Sequence, residues 1–319
     1  MHPALSIVFF TTLSGAGYGL LIWLGISVLL QPASGSAAAP LAAMQLMAAI
    51  VALTLVTAGL LCSLAHLGQP QRAWRALSQW RTSWLSREGV MALLTYVPAL
   101  AMTLFVWRGA RSADTAAFLA PAAVLTAVLA LATVACTAMI YASMKPIPAW
   151  RHPLVVLAYL LFALLSGAAL LLVLMQWTSP GDIDLAMLLP SLGLLATLAA
   201  VTKFAYWRAI DRASLPADRA AAVGLPGRTV QTFEAPHTQA NYITREMVFQ
   251  IARQHASRLR LLAYALFAGV PLAVAALAIA APFSAAFALP VVAVSVLAGV
   301  FVERWLFFAQ ARHVVSLYY

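Results

Sequence analysis

Charged side chains are scarce in this sequence. Only 9% of its 319 residues are Asp, Glu, Lys or Arg, and 64% are hydrophobic, whereas a soluble domain carries about 25% charged residues. This composition excludes a soluble protein. The hydrophobic residues form long runs separated by short polar gaps, which is the pattern of membrane-spanning helices rather than of a barrel. We therefore predict an all-α integral membrane protein.

Cysteine and intramembrane histidine are also nearly absent. The chain has two cysteines, Cys62 and Cys136, and each lies within an apolar run. An iron–sulfur cluster needs about four thiolates, so we expect no cluster in this chain. We also expect no disulfide and no metal site, and we predict that both cysteines are small buried hydrophobic residues. No His lies in the middle of an apolar run, where a membrane cytochrome places its axial ligands. We therefore expect no haem in this chain.

Eight apolar runs are long enough to cross a hydrocarbon layer of about 30 Å. The first run has no Lys or Arg before it and no cleavage site, so it is predicted to be a retained span rather than a signal peptide. A polar stretch at 208–260, rich in Pro and Gly, indicates a large loop, and its last part, from about Thr244 to Arg260, is predicted to be an amphipathic or a helix-extending segment. The eight predicted spans are 5–29, 42–65, 88–107, 116–142, 153–177, 186–207, 261–281 and 285–309.

The basic residues are distributed unequally between the two sides of these spans. Seventeen of the nineteen Lys and Arg residues fall at one side, and only Arg108 and Arg111 fall at the other. Cytoplasmic loops collect Lys and Arg, so both termini of this multi-pass protein are predicted to lie in the cytoplasm. The centres of the spans contain essentially no ionisable residues, so an ion path through the membrane, as in a transporter, is poorly supported.

A weak internal repeat divides the single membrane domain, residues 1–319. "HPALSIVFFTTLSGAG" near the start is similar to "HPLVVLAYLLFALLSGAA" at 152–169, and "LSRE" before span 3 is similar to "ITRE" before span 7. Four spans per unit give both units the same orientation. The pattern predicts two parallel four-helix repeats, 1–151 and 152–319. Coincidence between helices of low complexity is the alternative.

One stretch concentrates the polar chemistry, "SLAHLGQPQRAWRALSQWRTSWLSREGVM" at 63–91. Gly68 and Pro70 are expected to end span 2 just after His66. The following residues place Trp and Leu at helical spacing, which predicts a short interfacial helix with Trp at headgroup level. Span 3 then begins near Glu88. His66 and Glu88 are therefore predicted to lie at the ends of adjacent helices, at one depth.

A histidine and a carboxylate beside tryptophans at the hydrocarbon boundary suit the head of a quinone. Its two carbonyls need hydrogen-bond donors, and its two-electron reduction needs proton carriers. His66 and Glu88 are the predicted proton carriers. Anchoring by Trp and Arg, and a first-turn acid that favours the helix dipole, are the structural alternatives. The remaining candidate lining residues are Arg72, Trp74, Arg75, Trp80 and Ser83, with Gly15 and Gly17 allowing span 1 to approach.

Several motifs together resemble a known family. "HPALSIVFFTTLSGAG", "AHLGQPQRAWRAL", "SWLSRE", "NYITREM" and "FVERWLFFAQARH" are similar, in the same order, to the membrane-anchor subunits of dimethyl-sulfoxide-reductase-type molybdoenzymes, the DmsC family. The resemblance implies eight transmembrane helices without haem. It implies two partners, an iron–sulfur electron-transfer subunit and a molybdopterin catalytic subunit. Electrons would pass between the nearest cluster and a quinone, ubiquinone or menaquinone, with His66 and Glu88 as the functional pair.

The charge distribution distinguishes between branches of that family. The dimethyl-sulfoxide reductases place their catalytic subunits outside the cytoplasm, whereas here the His66 and Glu88 end is predicted to be cytoplasmic. This fits the cytoplasm-facing sulfite dehydrogenases, the SoeABC-type complexes, whose anchors the C-terminal sequence also resembles. The resemblance therefore implies electron transfer from sulfite oxidation to quinone. An anchor of a menaquinol-oxidising reductase and a purely structural anchor are the alternatives.

Overall fold

The structure is a computed structural model that describes most of the chain. The described residues are 4–30, 38–65, 67–108, 113–178, 185–213, 218–231, 233–234, 255–280 and 284–318, with the side chains at 38–40, 113–116, 185–187 and 279–280 excepted. This part of the chain contains helices and connections but no strand. The prediction of an all-α protein is confirmed.

Within the described residues, eight helical segments are long and apolar enough to cross a membrane, as the lengths of the apolar runs predicted. The seventh is built from two α-helices with a π-helical turn, Ala265–Gly269, between them. The α-helices are α1 (Leu5–Leu29), α2 (Ala38–Leu64), α3 (Trp84–Trp107), α4 (Ala113–Ala142), α5 (Leu154–Thr178), α6 (Leu185–Arg212), the short α7 (Arg219–Ala222), α8 (Ala256–Tyr264), α9 (Val270–Ala280) and α10 (Ala285–Ala309).

Three helices extend further into polar sequence than predicted. α3 begins at Trp84, α6 continues to Arg212 and the seventh span begins at Ala256, so part of the predicted helical extension before Arg260 is confirmed. Lys203 lies inside α6, within the predicted span 186–207. Two of these extensions contact each other, because Arg260 of α8 donates to the carboxylate of Asp211 in α6.

The first helix is the centre of the bundle. About 67% of the residues in its most apolar stretch are buried, against 28% in the corresponding stretches of α2 and α3. It packs on α2, α4, α5 and α10. Small residues allow this close packing. A Cβ on Gly17 would lie 2.7 Å from the carbonyl oxygen of Ala52 in α2.

The two halves of the chain use their helices in corresponding ways. α1 packs on α2 and α4, while α5 packs on α6 and α10, and the halves meet where α1 crosses α5. This order agrees with the similar sequences at the starts of α1 and α5. The division into two repeats stays a prediction.

A 3₁₀ helix, Pro70–Gln79, connects α2 to α3. Residues three apart line up in such a helix, so Trp74, Leu77 and the following Trp80 share one side. Leu77 packs on α3, where a Cβ at Gly89 would lie 2.7 Å from its Cδ2 atom. The predicted short helix is confirmed, although it is 3₁₀ rather than α. We call Pro70–Gln79 the interfacial helix.

The connections after α4, α6 and α10 lie at one end of the bundle. The amide of Val314 donates to the carbonyl oxygen of Pro146 at 3.0 Å, and the Tyr318 hydroxyl donates to that of Ala222 at 3.2 Å. Two connections and the C-terminal tail on one side are the arrangement that the distribution of basic residues predicts. We call this the basic end, and its assignment to the cytoplasm stays a prediction.

Candidate functional site

Glu88 is buried inside the bundle, in the second turn of α3. Its side chain is 5% exposed, and its Oε1 atom accepts a hydrogen bond from the Thr137 hydroxyl of α4. Thr137 also donates to the carbonyl oxygen of Thr133 at 3.1 Å. α3 and α4 are antiparallel neighbours, so a residue early in α3 meets one late in α4. A buried intramembrane carboxyl group marks a candidate functional site by default.

A cavity in the middle of the bundle reaches the residue that binds Glu88. It is a narrow space between α1, α4, α5 and α10. Its polar lining residues are Thr11, Thr12, Ser14, Tyr18, Thr137, Tyr159, Ser166 and Arg304, and Gly15 lines it as well. We call it the central cavity. A Cβ on Gly15 would have no atom within 4 Å, so this glycine leaves the cavity open.

A buried ionic cluster lies on the far side of that cavity. Nζ of Lys203 in α6 is 2.6 Å from Oε1 of Glu303 in α10, and Nη1 of Arg304 is 3.2 Å from Oε2 of the same carboxylate. The three side chains are between 0% and 3% exposed. We call Lys203, Glu303 and Arg304 the charge cluster. Two cations share one carboxylate, so the fully ionised cluster carries a net positive charge.

Aromatic rings complete the surroundings of the two cations. The Arg304 guanidinium lies 3.5 Å from the ring centroid of Tyr159, and the Lys203 ammonium lies 3.9 Å from that of Tyr206. Ring faces attract cations, most strongly where water is excluded. The rings therefore compensate in part for the second positive charge.

A polar cleft lies at the basic end, above the charge cluster. It encloses about 1030 Å³, open to solvent, and its polar residues are His152, Asp211, Arg260, Gln310 and Arg312. Arg260 donates to both carboxylate oxygens of Asp211, at 2.5 and 2.8 Å. Burial and the nearby Lys203 ammonium lower the pKa of His152. We call this opening the surface cleft.

The sequence-predicted site residues fall into two environments. Glu88 is buried, and Gly15 reaches the central cavity, whereas Gly17 packs on α2. Trp74 and Trp80 are 68% and 52% exposed. Arg72 and Arg75 on the interfacial helix are exposed too, whereas Ser83, in the turn after it, is half-buried. His66 lies outside the described residues.

The turn before α3, next to Glu88, is held in place by Arg87. The Arg87 side chain donates to the carbonyl oxygens of Trp80 at 3.0 Å and Arg81 at 2.7 Å. This fixes the interfacial helix against the start of α3. The quinone site beside Glu88 stays a prediction.

Sequence reasoning missed Thr137, Tyr18, Tyr159 and the charge cluster. Thr137 has no signal, because threonines commonly bond back to their own helix, as Thr126 does to the carbonyl oxygen of Ala122. Glu303 had one, since an acid within an apolar run requires a buried partner. Among the described residues, no group of three His, Cys, Asp or Glu lies close enough to hold a metal ion.

The whole chain is similar to known membrane-anchor proteins. The family described as DMSO reductase anchor subunit (DmsC) matches residues 1–310. The C subunit of the sulfite dehydrogenase of Allochromatium vinosum is 33% identical over 336 aligned positions, which cover 100% of this chain and 99% of that protein. Both matches extend over all eight spans. The chain therefore belongs to the DMSO reductase anchor subunit (DmsC) family.

Proposed function

We propose that this protein is the quinone-reactive anchor of a cytoplasm-facing molybdenum enzyme that oxidises sulfite. Membership of the DmsC family supports the anchor role, and the name of the Allochromatium vinosum relative supports sulfite as the substrate. The observation that carries the quinone role is Glu88, a carboxyl group buried near one end of the bundle and hydrogen-bonded to Thr137. A buried acid in that position is suited to hold a proton for a quinone.

The quinone head is proposed to lie between the end of α2 and the start of α3. His66 follows α2 in the chain and donates to one carbonyl of the head, and Glu88 supplies a proton at its Oε atoms. The hydroxyl of Thr137 donates to the carboxylate that remains, which stabilises the charged form after the proton has left. Trp74, Arg72, Arg75, Trp80 and Ser83 border the headgroup side, as the sequence pattern predicts.

The partners are proposed to dock at the basic end. An iron–sulfur subunit passes electrons to the quinone there, and a molybdopterin subunit oxidises the substrate. The interfacial helix exposes Arg72 and Arg75 at this end, and Arg81 is exposed in the turn that follows. Positive groups at the rim of an interface steer an acidic partner. With both termini in the cytoplasm of a bacterium, this complex faces the cytoplasm at the inner membrane.

A purely structural anchor is the second candidate. The observation in its favour is the exposure of Trp74 and Trp80, which suits contact with lipid or with a partner subunit as well as with a quinone. In that case the partner subunits bind the quinone, and Glu88 serves only to join α3 to α4.

Two variants of the intact complex distinguish the candidates. His66→Ala and Glu88→Gln are expected to reduce quinone reduction by about 10²- to 10⁴-fold, the usual loss when a proton carrier is removed. Sulfite oxidation with a soluble artificial acceptor should remain. Glu234→Gln, at an exposed residue, is the matched control. Wild-type quinone reduction in both variants would favour the structural anchor, and loss of both activities would show that the variants had disrupted the complex.

A further inference from the structure

The central cavity contains several polar atoms that the described residues leave unpaired. The hydroxyls of Thr12, Tyr18 and Tyr159 and the Nε atom of Arg304 have no hydrogen-bond partner among those residues. All four side chains line this cavity, and each is at most 5% exposed. Buried polar groups in proteins are nearly always hydrogen-bonded, to ordered water where no protein group is available.

The cavity has room for such water. About 10 Å³ of it admits the centre of a water molecule, and one water needs two to four polar partners. The unpaired atoms of Tyr18, Tyr159 and Arg304 supply them from three helices, and Thr137 supplies a further hydroxyl on the wall nearest Glu88. Water there would complete a hydrogen-bonded connection between Thr137 and Arg304.

The connection continues from Arg304 toward the basic end. Arg304 lines both the central cavity and a narrow gap that is also lined by Lys203, Glu303 and Tyr206. The Tyr206 hydroxyl donates to the carbonyl oxygen of Ala149 at 3.0 Å. Ala149 borders the surface cleft. Tyr206 therefore lies between the cleft and the charge cluster, because its hydroxyl reaches the wall of the cleft and its ring face covers the Lys203 ammonium.

His152 lies at the solvent-exposed end of these polar groups. It lines the surface cleft, and its ring centroid is 5.6 Å from that of Tyr206, edge to face. Burial and the Lys203 ammonium lower the pKa of its imidazole, which agrees with its position just above the charge cluster. A partly buried imidazole open to a water-filled cleft can take up a proton and release it again.

We propose that the surface cleft, the charge cluster and the central cavity form one proton route to Glu88. The route lies mostly in the second half of the chain, and it supplies a carboxyl group in the first half. It rests on the proposed function, because the proton that leaves Glu88 goes to the quinone. Reduction to quinol takes two electrons, from the iron–sulfur subunit, and two protons. Each proton that Glu88 gives up is replaced through the cavity from the Lys203 ammonium, because the Arg304 guanidinium does not release a proton, and Lys203 is reprotonated from the cleft.

The excess positive charge of the cluster suits this task. An ionised Glu88 facing a neutral apolar interior would be strongly disfavoured. The net positive charge of Lys203, Glu303 and Arg304 on the other side of the cavity would stabilise that carboxylate during the interval between loss of its proton to the quinone and arrival of the next one. It does so without a direct ion pair to Glu88, which would keep Glu88 ionised and prevent it from taking up a proton.

Tyr159→Phe and Thr137→Val test the route in the intact complex. Each removes one hydroxyl from the cavity with little change in volume. Quinone reduction at saturating quinone is expected to fall by about 10-fold or more, with KM for quinone and the activity with a soluble acceptor unchanged. Slower proton delivery should also raise the ratio of rates in H2O and D2O, which a merely structural defect would leave alone. Thr137→Ser should restore the rate.

Two matched controls separate the route from general packing. Tyr264 also carries a buried hydroxyl without a partner among the described residues, but it borders an outer groove rather than the cavity, so Tyr264→Phe should leave the rate unchanged. Thr133→Val changes a buried threonine one turn from Thr137, outside the cavity lining, and should behave likewise.

The outcomes separate failure of the route from failure of the proposed function. If Glu88→Gln abolishes quinone reduction but Tyr159→Phe and Thr137→Val leave the rate and the isotope ratio at wild-type values, protons reach Glu88 by another path and the route is wrong. If Glu88→Gln itself leaves quinone reduction intact, the proposed quinone function of Glu88 is wrong and the route fails with it.

Discussion

Gly19 of α1 lies in direct backbone contact with Gly167 of α5. A Cβ on Gly19 would overlap the carbonyl group of Ala163, and a Cβ on Gly167 would overlap the backbone of Gly19. The two helices cross at a distance that only glycine permits. This crossing joins the two halves of the bundle and therefore sets the position of the central cavity between Glu88 and the charge cluster.

Gly19→Ala is expected to destabilise the protein by about 1–3 kcal/mol or more, because the added methyl group has to separate two backbones. Thermal unfolding in detergent measures the effect. Gly15→Ala is the control, since its Cβ would meet no atom within 4 Å and should leave the midpoint unchanged or slightly raised. Equal midpoints for the two variants would contradict the close crossing.

Removal of one member of the charge cluster should be costly. Glu303→Gln leaves two buried cations without a counter-ion, and breaking a buried pair costs about 3–5 kcal/mol. Lys203→Met should cost less, because Glu303 keeps Arg304. Asp211→Asn breaks an ion pair whose carboxylate is 55% exposed and should cost about 0–1 kcal/mol. The order of the three unfolding midpoints in detergent is the measurement, and a Glu303→Gln midpoint equal to that of Asp211→Asn would contradict it.

The fold could be predicted almost completely from the sequence, whereas the buried polar groups could not. Run length is sufficient to recognise a membrane span, and all eight were predicted. The interior of such a bundle is as apolar as its lipid-facing surface, so periodicity does not show which side faces inward. The position of Glu88 beside Thr137, and the pairing of Lys203 with Glu303, depend on helix rotation and become visible only in the assembled structure.

For the interfacial helix, the sequence predicted the helix but could not determine what its residues contact. Its tryptophan spacing correctly indicated a helix between α2 and α3, but amphipathic spacing fits a lipid surface, a docked subunit and a ligand equally well. The exposure of Trp74 and Trp80 is compatible with each of these. For this reason the predicted roles of these residues in quinone binding stay predictions.

The exposed arginines of the interfacial helix and the turn after it should contribute to retention of the soluble subunits. Replacing Arg72, Arg75 and Arg81 with Gln is expected to weaken the complex, because the lost charges no longer attract an acidic partner. Release of the partner subunits from membranes at increasing salt measures this. Arg108→Gln, at the opposite end of α3, should leave retention unchanged. Equal retention in both would show that these arginines contribute nothing to docking.

The orientation in the membrane can be tested with reporter fusions. A reporter that is active only outside the cytoplasm should be silent when fused after Tyr319, because the basic end is predicted to be cytoplasmic. The same reporter inserted after Arg108 should be active. The reverse pattern would place the basic end outside the cytoplasm. It would then favour the alternative function, the anchor of a reductase whose catalytic subunits are exported.

Turnover is expected to build no membrane potential. In this arrangement the electrons arrive at the basic end and the protons enter through the surface cleft at the same end, so no charge crosses the bilayer. The halves of the eight membrane spans toward the opposite end contain no Asp, Glu, Lys, Arg or His to continue a path, and moving one charge across 100 mV costs about 2.3 kcal/mol. The complex in sealed vesicles, supplied with sulfite and quinone, should leave a potential-sensitive dye unchanged while quinol accumulates. A dye response abolished by a protonophore would show that charge crosses the membrane, and would require a path from the central cavity to the opposite end.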